Sequence, residues 1–306
     1  MRRWLLACLV LFGGLLVNVG LDLHAARETR ATEQVANPVA AANDPAAAIA
    51  VLTSATSDTA ATLDDLAAGK LAIVDLTWPL SAASVHWPGE NYKPFELHDI
   101  ATLEKDGVLS KAFSSPEHFG THLDAPNHFE RNQPSVDRIA AEQFFAPGVV
   151  IDVSAAAARD ADYRLSVDDI QAFEAAHGPI PSGTIVLAYT GWSKFWNNAT
   201  RYRNQDVMSR MHFPGYSAEA VQFLIAERHV RAIGIDTLSV DYGLSRDFFV
   251  HHLLGKAGRY GLENLARLDQ LPPRGFYLFV APIKIETGSG GPTRVFAIVA
   301  KGDGEN

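Results

Sequence analysis

Six short runs rich in β-branched and aromatic residues constrain the fold of this chain more than any other feature. They are Leu71-Ala-Ile-Val-Asp-Leu-Thr77, Gly148-Val-Val-Ile-Asp-Val153, Thr184-Ile-Val-Leu-Ala-Tyr189, Ala232-Ile-Gly-Ile-Asp236, Tyr277-Leu-Phe-Val-Ala281 and Arg294-Val-Phe-Ala-Ile-Val-Ala300. Each has strand length, and the first and third are bounded by Pro79 and by Pro181-Ser-Gly183. Helical patterns lie between them. Ser166 to His177 places Val167, Ile170 and Phe173 on one face, and Ser217 to Glu227 carries Ala220, Phe223, Leu224 and Ile225 suited to burial. Ser166 and Ser217 are N-caps by residue type. Strands and helices alternate only in part, which predicts a mixed α/β domain rather than a cleanly doubly wound sheet. The chain shows no internal repeat and no Gly-rich phosphate loop.

This domain is expected to span residues 63–306. A different kind of sequence precedes it. Arg2 and Arg3 are followed by an apolar run from Trp4 to about Leu21, the pattern of a secretory signal peptide over residues 1–25. Cleavage is placed near Ala25 or Ala26, although His24 fits the small-residue rule poorly. The alternative is an uncleaved anchor, because ~18 apolar residues just span a bilayer. Residues 26–62 are Ala-rich without a sustained apolar period and read as a disordered spacer. The protein is therefore expected outside the cytoplasm, periplasmic or extracellular, with membrane anchoring as the alternative.

The net charge of −9 offers no electrostatic reason to bind nucleic acid, and no zinc-finger spacing or basic stripe is present. Cys8 is the only cysteine. If the signal is removed, a transition metal has to be held by His and carboxylate alone.

Such residues gather in His118-Phe-Gly-Thr-His122-Leu-Asp124-Ala-Pro-Asn-His128. Two imidazoles and a carboxylate from His118, His122 and Asp124 suit Zn²⁺ and are acceptable to Mn²⁺ or Fe²⁺. His118 and His122 share a face only in a helix, His122 and Asp124 only in a strand. With Gly120 and Pro126 between them, the segment is expected to be an irregular loop. Histidines in a loop are otherwise ordinary surface residues. A second cluster comprises Asp236-Thr-Leu-Ser-Val-Asp241, His251-His252 and Glu263. Alone, His251 is equally a structural residue and Glu263 equally a solvated helix charge. Spacing does not tie this cluster to the first.

The pattern His118-x-Gly-Thr-His-x-Asp-x-Pro-x-His128 resembles the signature of the cyclase family, which includes bacterial kynurenine formamidases and isatin hydrolases. The resemblance extends from Val74-Asp-Leu-Thr77 to the C-terminus, with Gly234 to Asp241 similar to a second block and His251/Glu263 spaced like a second His/Glu pair. It implies a swivelling β/β/α domain, assembled as a homodimer or homotetramer. It implies that His118, His122 and Asp124 hold a divalent metal, Zn²⁺ first and Mn²⁺ as alternative, and that His128 is catalytic. His251 and Glu263 complete the metal site, with His252 the adjacent alternative, and Glu263 also orients water. A metal so held lowers the pKa of bound water from about 15.7 towards 7. His128, as a group that titrates near neutrality, passes a proton to the leaving amine. The implied reaction is hydrolysis of a small aryl amide such as N-formylkynurenine, as in the kynurenine formamidases (arylformamidases), or of a related lactam, with an isatin hydrolase as an alternative. A non-hydrolytic cyclase or dehydratase, a lactone hydrolase and a non-enzymatic metal-binding module are the alternatives. The aromatic residues Phe195, Trp196, Tyr202 and Phe213, in the stretch 192–216, either wall an aromatic substrate pocket or serve packing or a subunit contact.

Overall fold

The computed structural model describes residues 63–301, so the signal-peptide and spacer readings lie outside the described residues. In chain order the strands are β1 (Leu71–Asp75), β2 (Glu96–Ala101), β3 (Ser110–Ser114), β4 (His122–Asp124), β5 (Phe145–Asp152), β6 (Arg164–Leu165), β7 (Ile185–Tyr189), β8 (Gly215–Tyr216), β9 (Ala232–Ile235), β10 (Tyr260–Glu263), β11 (Phe276–Pro282) and β12 (Gly290–Ala300). Three longer helices are α1 (Val167–His177), α2 (Ala218–Arg228) and α3 (Phe249–Lys256). All six apolar runs form strands. Both serines cap as expected. Ser166 and Asp169 form a reciprocal capping box at the start of α1, and the Ser217 side chain accepts from Ala220 N–H at the start of α2.

β5, β7, β9 and β10 pair in parallel, and α1, α2 and α3 supply the crossovers that parallel neighbours require. β11, β12 and β4 continue the sheet antiparallel. β4 also pairs with β10, so the sheet closes on itself. The long strand β12 makes this possible. Its start, Gly290 to Pro292, pairs with β4, and its end pairs with β1. Closure removes unpaired edges from the strands that carry the site. The mixed α/β expectation is borne out, with a barrel-like sheet.

The continuous apolar runs now have a physical reason. On β5, Val150 joins one core while Val149 and Ile151 join the other; on β7, Ile185 and Leu187 face one way and Val186 and Ala188 the other. Strands buried on both faces need apolar residues at every position. Each such Val, Leu or Ile side chain contributes about 1.5–3 kcal/mol of burial.

Two strands of the main sheet have no such run. β4 reads His-Leu-Asp and β10 reads Tyr-Gly-Leu-Glu, too short and too polar to signal a strand. Tertiary pairing alone makes them extended. The expectation of a loop through residues 118–128 is thus corrected at its centre: Leu123 is a core residue, and His122 to Asp124 is a strand of the main sheet. The expectation of Glu263 as a possible solvated helix charge is likewise corrected, because it ends β10 with only 4% exposure.

Candidate metal centre

Strand register assembles the site. In the β4/β10 pair Glu263 stands directly opposite His122, and Gly261 opposite Asp124. On the other side Gly290 of β12 stands opposite Asp124. The carboxylate of Asp124 is therefore flanked by two residues without side chains. α3 delivers His251 to the same place. The two clusters that spacing could not connect are one cluster in space: His122 Nε2 lies 3.3 Å from both Asp124 Oδ1 and Glu263 Oε2. His251 Nε2 lies 3.2 Å from both Asp124 Oδ2 and Glu263 Oε1. His252 points elsewhere, with Nδ1 2.8 Å from Glu130 Oε1.

The ring tautomers decide what these contacts mean. His122 Nδ1 lies 2.9 Å from the carbonyl of Gly120, which only accepts, so Nδ1 carries the hydrogen and Nε2 is bare. His251 Nδ1 lies 2.6 Å from Asp241 Oδ2, with the same consequence. Each bare imidazole nitrogen then faces two carboxylate oxygens. Lone pairs converge on lone pairs in a buried space, which is unfavourable unless a cation or protons lie between them.

Protonation responds accordingly. Burial by itself pushes the His122 imidazole down, but the Asp124 and Glu263 carboxylates overcome it and raise it to about 10. Burial also disfavours charge on His251, and hydrogen bonds to Asp124, Asp241 and Glu263 raise it well above its ordinary value. Asp124, which burial alone would raise, is held well below the carboxylate range by His122 and His118. A divalent ion satisfies the same cluster without protons, and the buried nitrogen and oxygen donors suit Zn²⁺, Mn²⁺ or Fe²⁺. Two groups have potential ligand atoms all within 4.8 Å of one another: His118, Asp124 and His128, and His122, Asp124 and Glu263. Asp124 is common to both. The expected triplet of His118, His122 and Asp124 is thus divided between two groups that meet at its carboxylate.

Outer contacts hold the donors in place. Asp241 accepts the backbone N–H groups of Val250 and His251 at the start of α3, so it caps the helix and orients the His251 ring together. Val240 N–H donates to Glu263 Oε1 at 2.9 Å. Asp241 lies in the second motif block, but its type and spacing carried no hint of this double contact.

His128 differs from its neighbours. Its ring stacks on His118 with centroids 3.8 Å apart and meets Phe129 edge-on at 4.6 Å. No hydrogen bond to it from the described residues is present. Burial pushes its imidazole down to about 3; the Asp124 carboxylate opposes this, and the neighbouring His118, His251 and His122 add to it. The expectation of a group titrating near neutrality is corrected: this imidazole is neutral at pH 7.

The cluster opens into a cavity of about 280 Å³ whose other walls include Val85, His86, Trp87, Tyr92, Phe129 and Phe248. Trp87 and Phe129 each lean on Phe248, with ring centroids 5.9 and 5.3 Å apart. None of Phe195, Trp196, Tyr202 and Phe213 lines it, so the pocket-wall reading of the 192–216 stretch is corrected to packing. Their rings form a separate core with Val85 and Leu238, where Trp196 stacks on Trp78 at 5.2 Å. That core supports the pocket from behind. Arg203 donates twice to the carbonyl of His86, and the Tyr202 hydroxyl lies 3.0 Å from Asn264 Oδ1, the residue after Glu263. Sequence reasoning missed the true walls. The available signal was Trp87-Pro-Gly89, a large ring placed just before a turn.

Comparison with known proteins agrees with this geometry. A family model described as a putative cyclase matches residues 74–242. An isatin hydrolase of Roseibium aggregatum is 34% identical over 251 residues, covering 77% of this chain and 95% of its own length. A kynurenine formamidase of Bacillus cytotoxicus is 28% identical over 222 residues, covering 72% of this chain and 94% of its own. The solved structure of isatin hydrolase A from Ralstonia solanacearum superposes with a TM-score of 0.74 at 40% identity, covering 80% of this chain and 100% of that one.

Proposed function

Because this chain belongs to the cyclase family of metal-dependent hydrolases, we propose that it hydrolyses the C–N bond of a small aromatic lactam or aryl amide, with an isatin-like lactam as the first candidate. The observation that carries this reading is the convergence of bare imidazole and carboxylate atoms on one point beside a cavity with aromatic walls. His122, Asp124 and Glu263 with His118 and His251 would hold a divalent ion, Zn²⁺ first and Mn²⁺ as alternative, which would supply polarisation of the carbonyl and acidification of a water.

The chain's own groups do the rest. Trp87, Phe129 and Phe248 give a flat aryl substrate faces and edges to pack against, which orients its carbonyl towards the cluster. The His128 ring starts the cycle neutral and makes no hydrogen bond to the described residues, while its backbone N–H donates to the Ala125 carbonyl. It therefore takes a proton from the attacking water and returns it to the leaving nitrogen. Its stack on His118 fixes the ring plane during both transfers. Glu263, oriented by Val240 N–H, keeps one oxygen towards His251 and the other towards His122.

The test is turnover by metal-reconstituted protein on isatin and on N-formylkynurenine, followed by mass. The expected result is gain of one water by isatin with opening of the lactam, abolished by a chelator. Preferred turnover of N-formylkynurenine moves the substrate to the open-chain amide. Folded, metal-loaded protein that leaves both unchanged overturns the reading.

The β2/β3 hairpin supports a self-assembling protein. It is paired only with itself, and Leu97, Ile100 and Phe113 are 54%, 68% and 57% exposed. An isolated two-stranded hairpin is marginal in water, and an apolar exposed one is a surface for a second copy. Light scattering is expected to give a dimer or tetramer; replacing Leu97, Ile100 and Phe113 with serine is expected to give a monomer, and a monomeric wild type contradicts the assignment. Export remains the reading of the N-terminal segment. Terminal sequencing of secreted protein is expected to begin near residue 26, and full-length protein in the cytoplasm counts against it.

A further inference from the structure

His118 joins the cluster through a different nitrogen from His122 and His251. Its Nδ1 lies 2.5 Å from Asp124 Oδ1, while its Nε2 lies 2.9 Å from Ser289 Oγ. Ser289 Oγ in turn lies 2.5 Å from Glu117 Oε2, which also accepts the Ser289 backbone N–H at 3.0 Å. The end of this series sets its direction. An ionised carboxylate only accepts, so the single hydroxyl proton of Ser289 goes to Glu117. The Ser289 oxygen is then an acceptor towards His118. Nε2 therefore carries the ring hydrogen, and Nδ1 is bare towards Asp124.

The backbone around Ser289 is built for this contact. A Cβ at Gly290 would stand 2.7 Å from His118 Cε1 and 2.4 Å from the carbonyl oxygen of Leu123, so only glycine lets the ring lie against the start of β12. A Cβ at Gly288 would stand 2.9 Å from Glu117 Oε1. Ala125 N–H donates to the Ser289 carbonyl at 2.8 Å and Val136 N–H to that of Gly288 at 3.0 Å. The serine sits between two closely packed glycines and is held from both sides.

We propose that Glu117 and Ser289 form a relay that fixes the His118 ring with Nδ1 towards the metal, an assignment that rests on the metal-dependent reading above. Both are positioning residues and neither is a ligand. The carboxylate behind the hydroxyl also makes the imidazole a stronger donor. The relay has a directional consequence that simple packing lacks. In Glu117→Ala the hydroxyl is released and can turn its proton to Nε2. The ring hydrogen then moves to Nδ1, where it blocks coordination. Glu117→Gln still accepts through its amide oxygen, so the direction is kept and only the charge is lost.

Co²⁺ is the probe, added to the full chain after chelation, with affinity read by competition with a chelating dye and geometry by the visible absorption of the bound ion. Ser289→Ala and Glu117→Ala are each expected to weaken Co²⁺ binding by about 10–100-fold, as loss of such outer partners does elsewhere, and to change the absorption. Glu117→Gln is expected to lose less than Glu117→Ala. Wild type that binds Co²⁺ while both alanine variants bind it equally well, with the same spectrum, overturns the relay and leaves the metal reading standing. Wild type that takes up no Co²⁺ overturns both. If circular dichroism shows Ser289→Ala to be unfolded, the Glu117 variants decide: a graded loss supports the relay, and equal losses or none overturn it.

Discussion

His128→Ala is expected to lower turnover of an amide or lactam by about 10²–10⁴-fold, the usual worth of a general acid–base group, while most of the metal stays bound. The two halves of this result come from different observations. The ring makes no hydrogen bond to the described residues, so its removal releases no partner among them. The remaining donors, His118, His122, Asp124, His251 and Glu263, are each held by contacts that do not pass through His128. Its loss removes the shuttle between water and leaving nitrogen. An aryl ester, whose leaving group needs no proton, is expected to suffer less than an amide. Metal content and kcat on both substrates check this. His128 belongs geometrically to a potential ligand group with His118 and Asp124, so a variant that loses its metal identifies it as a ligand. A variant that keeps both metal and full amide turnover makes it structural.

Asp124→Asn has the larger expected effect. It keeps the shape of the side chain and removes the charge that both ligand groups share. Metal affinity is expected to fall by more than the ~10–100-fold that outer partners contribute. Turnover is expected to fall by more than ~10⁴-fold, because the contribution of the ion is lost in addition to proton transfer. Thermal melting of the metal-free proteins separates this from misfolding. If the Asp124→Asn variant retains wild-type metal content and activity, the cluster is not the catalytic centre. Excess Zn²⁺ or Mn²⁺ is expected to restore only part of the activity, since the missing charge lies at the point where the donors converge.

How much of this was legible in the sequence depended on whether a feature was local. The six long runs were legible because a strand buried on both faces is apolar at each position, as β5 and β7 show. The helix caps were legible because Ser166 and Ser217 act within a single turn. β4 and β10 were not. Their extended form comes from pairing with each other and, for β4, with β12, across more than a hundred residues of chain, while β10 also lies beside β9. The motif at 118–128 and the pair His251/Glu263 were visible as two groups, and only the register of Glu263 against His122 made them one. Asp241 acts on Val250 and His251, nine and ten residues on, Ser289 acts across 171 residues, and neither these nor the pocket walls left a periodic trace. The aromatic stretch 192–216 misled for a physical reason. Large rings with one polar tip serve a core and a pocket equally well, and here Tyr202 and Trp192 use their tips on Asn264 and on the Tyr202 carbonyl inside the protein.

The closure of the sheet by β4 and the first residues of β12 also bears on when the centre comes into being. His118, His122, Asp124, His251 and Glu263 have all been synthesised before Gly290 to Pro292 exist, yet β4 has one of its two neighbours only when those residues arrive. Such a non-local pairing forms late and slowly. A chain cut after residue 289 keeps each donor and loses the ring that aligns them. The ability to capture metal is then expected only of the completed fold, and the rate of metal uptake during refolding is expected to follow the final closure of the sheet.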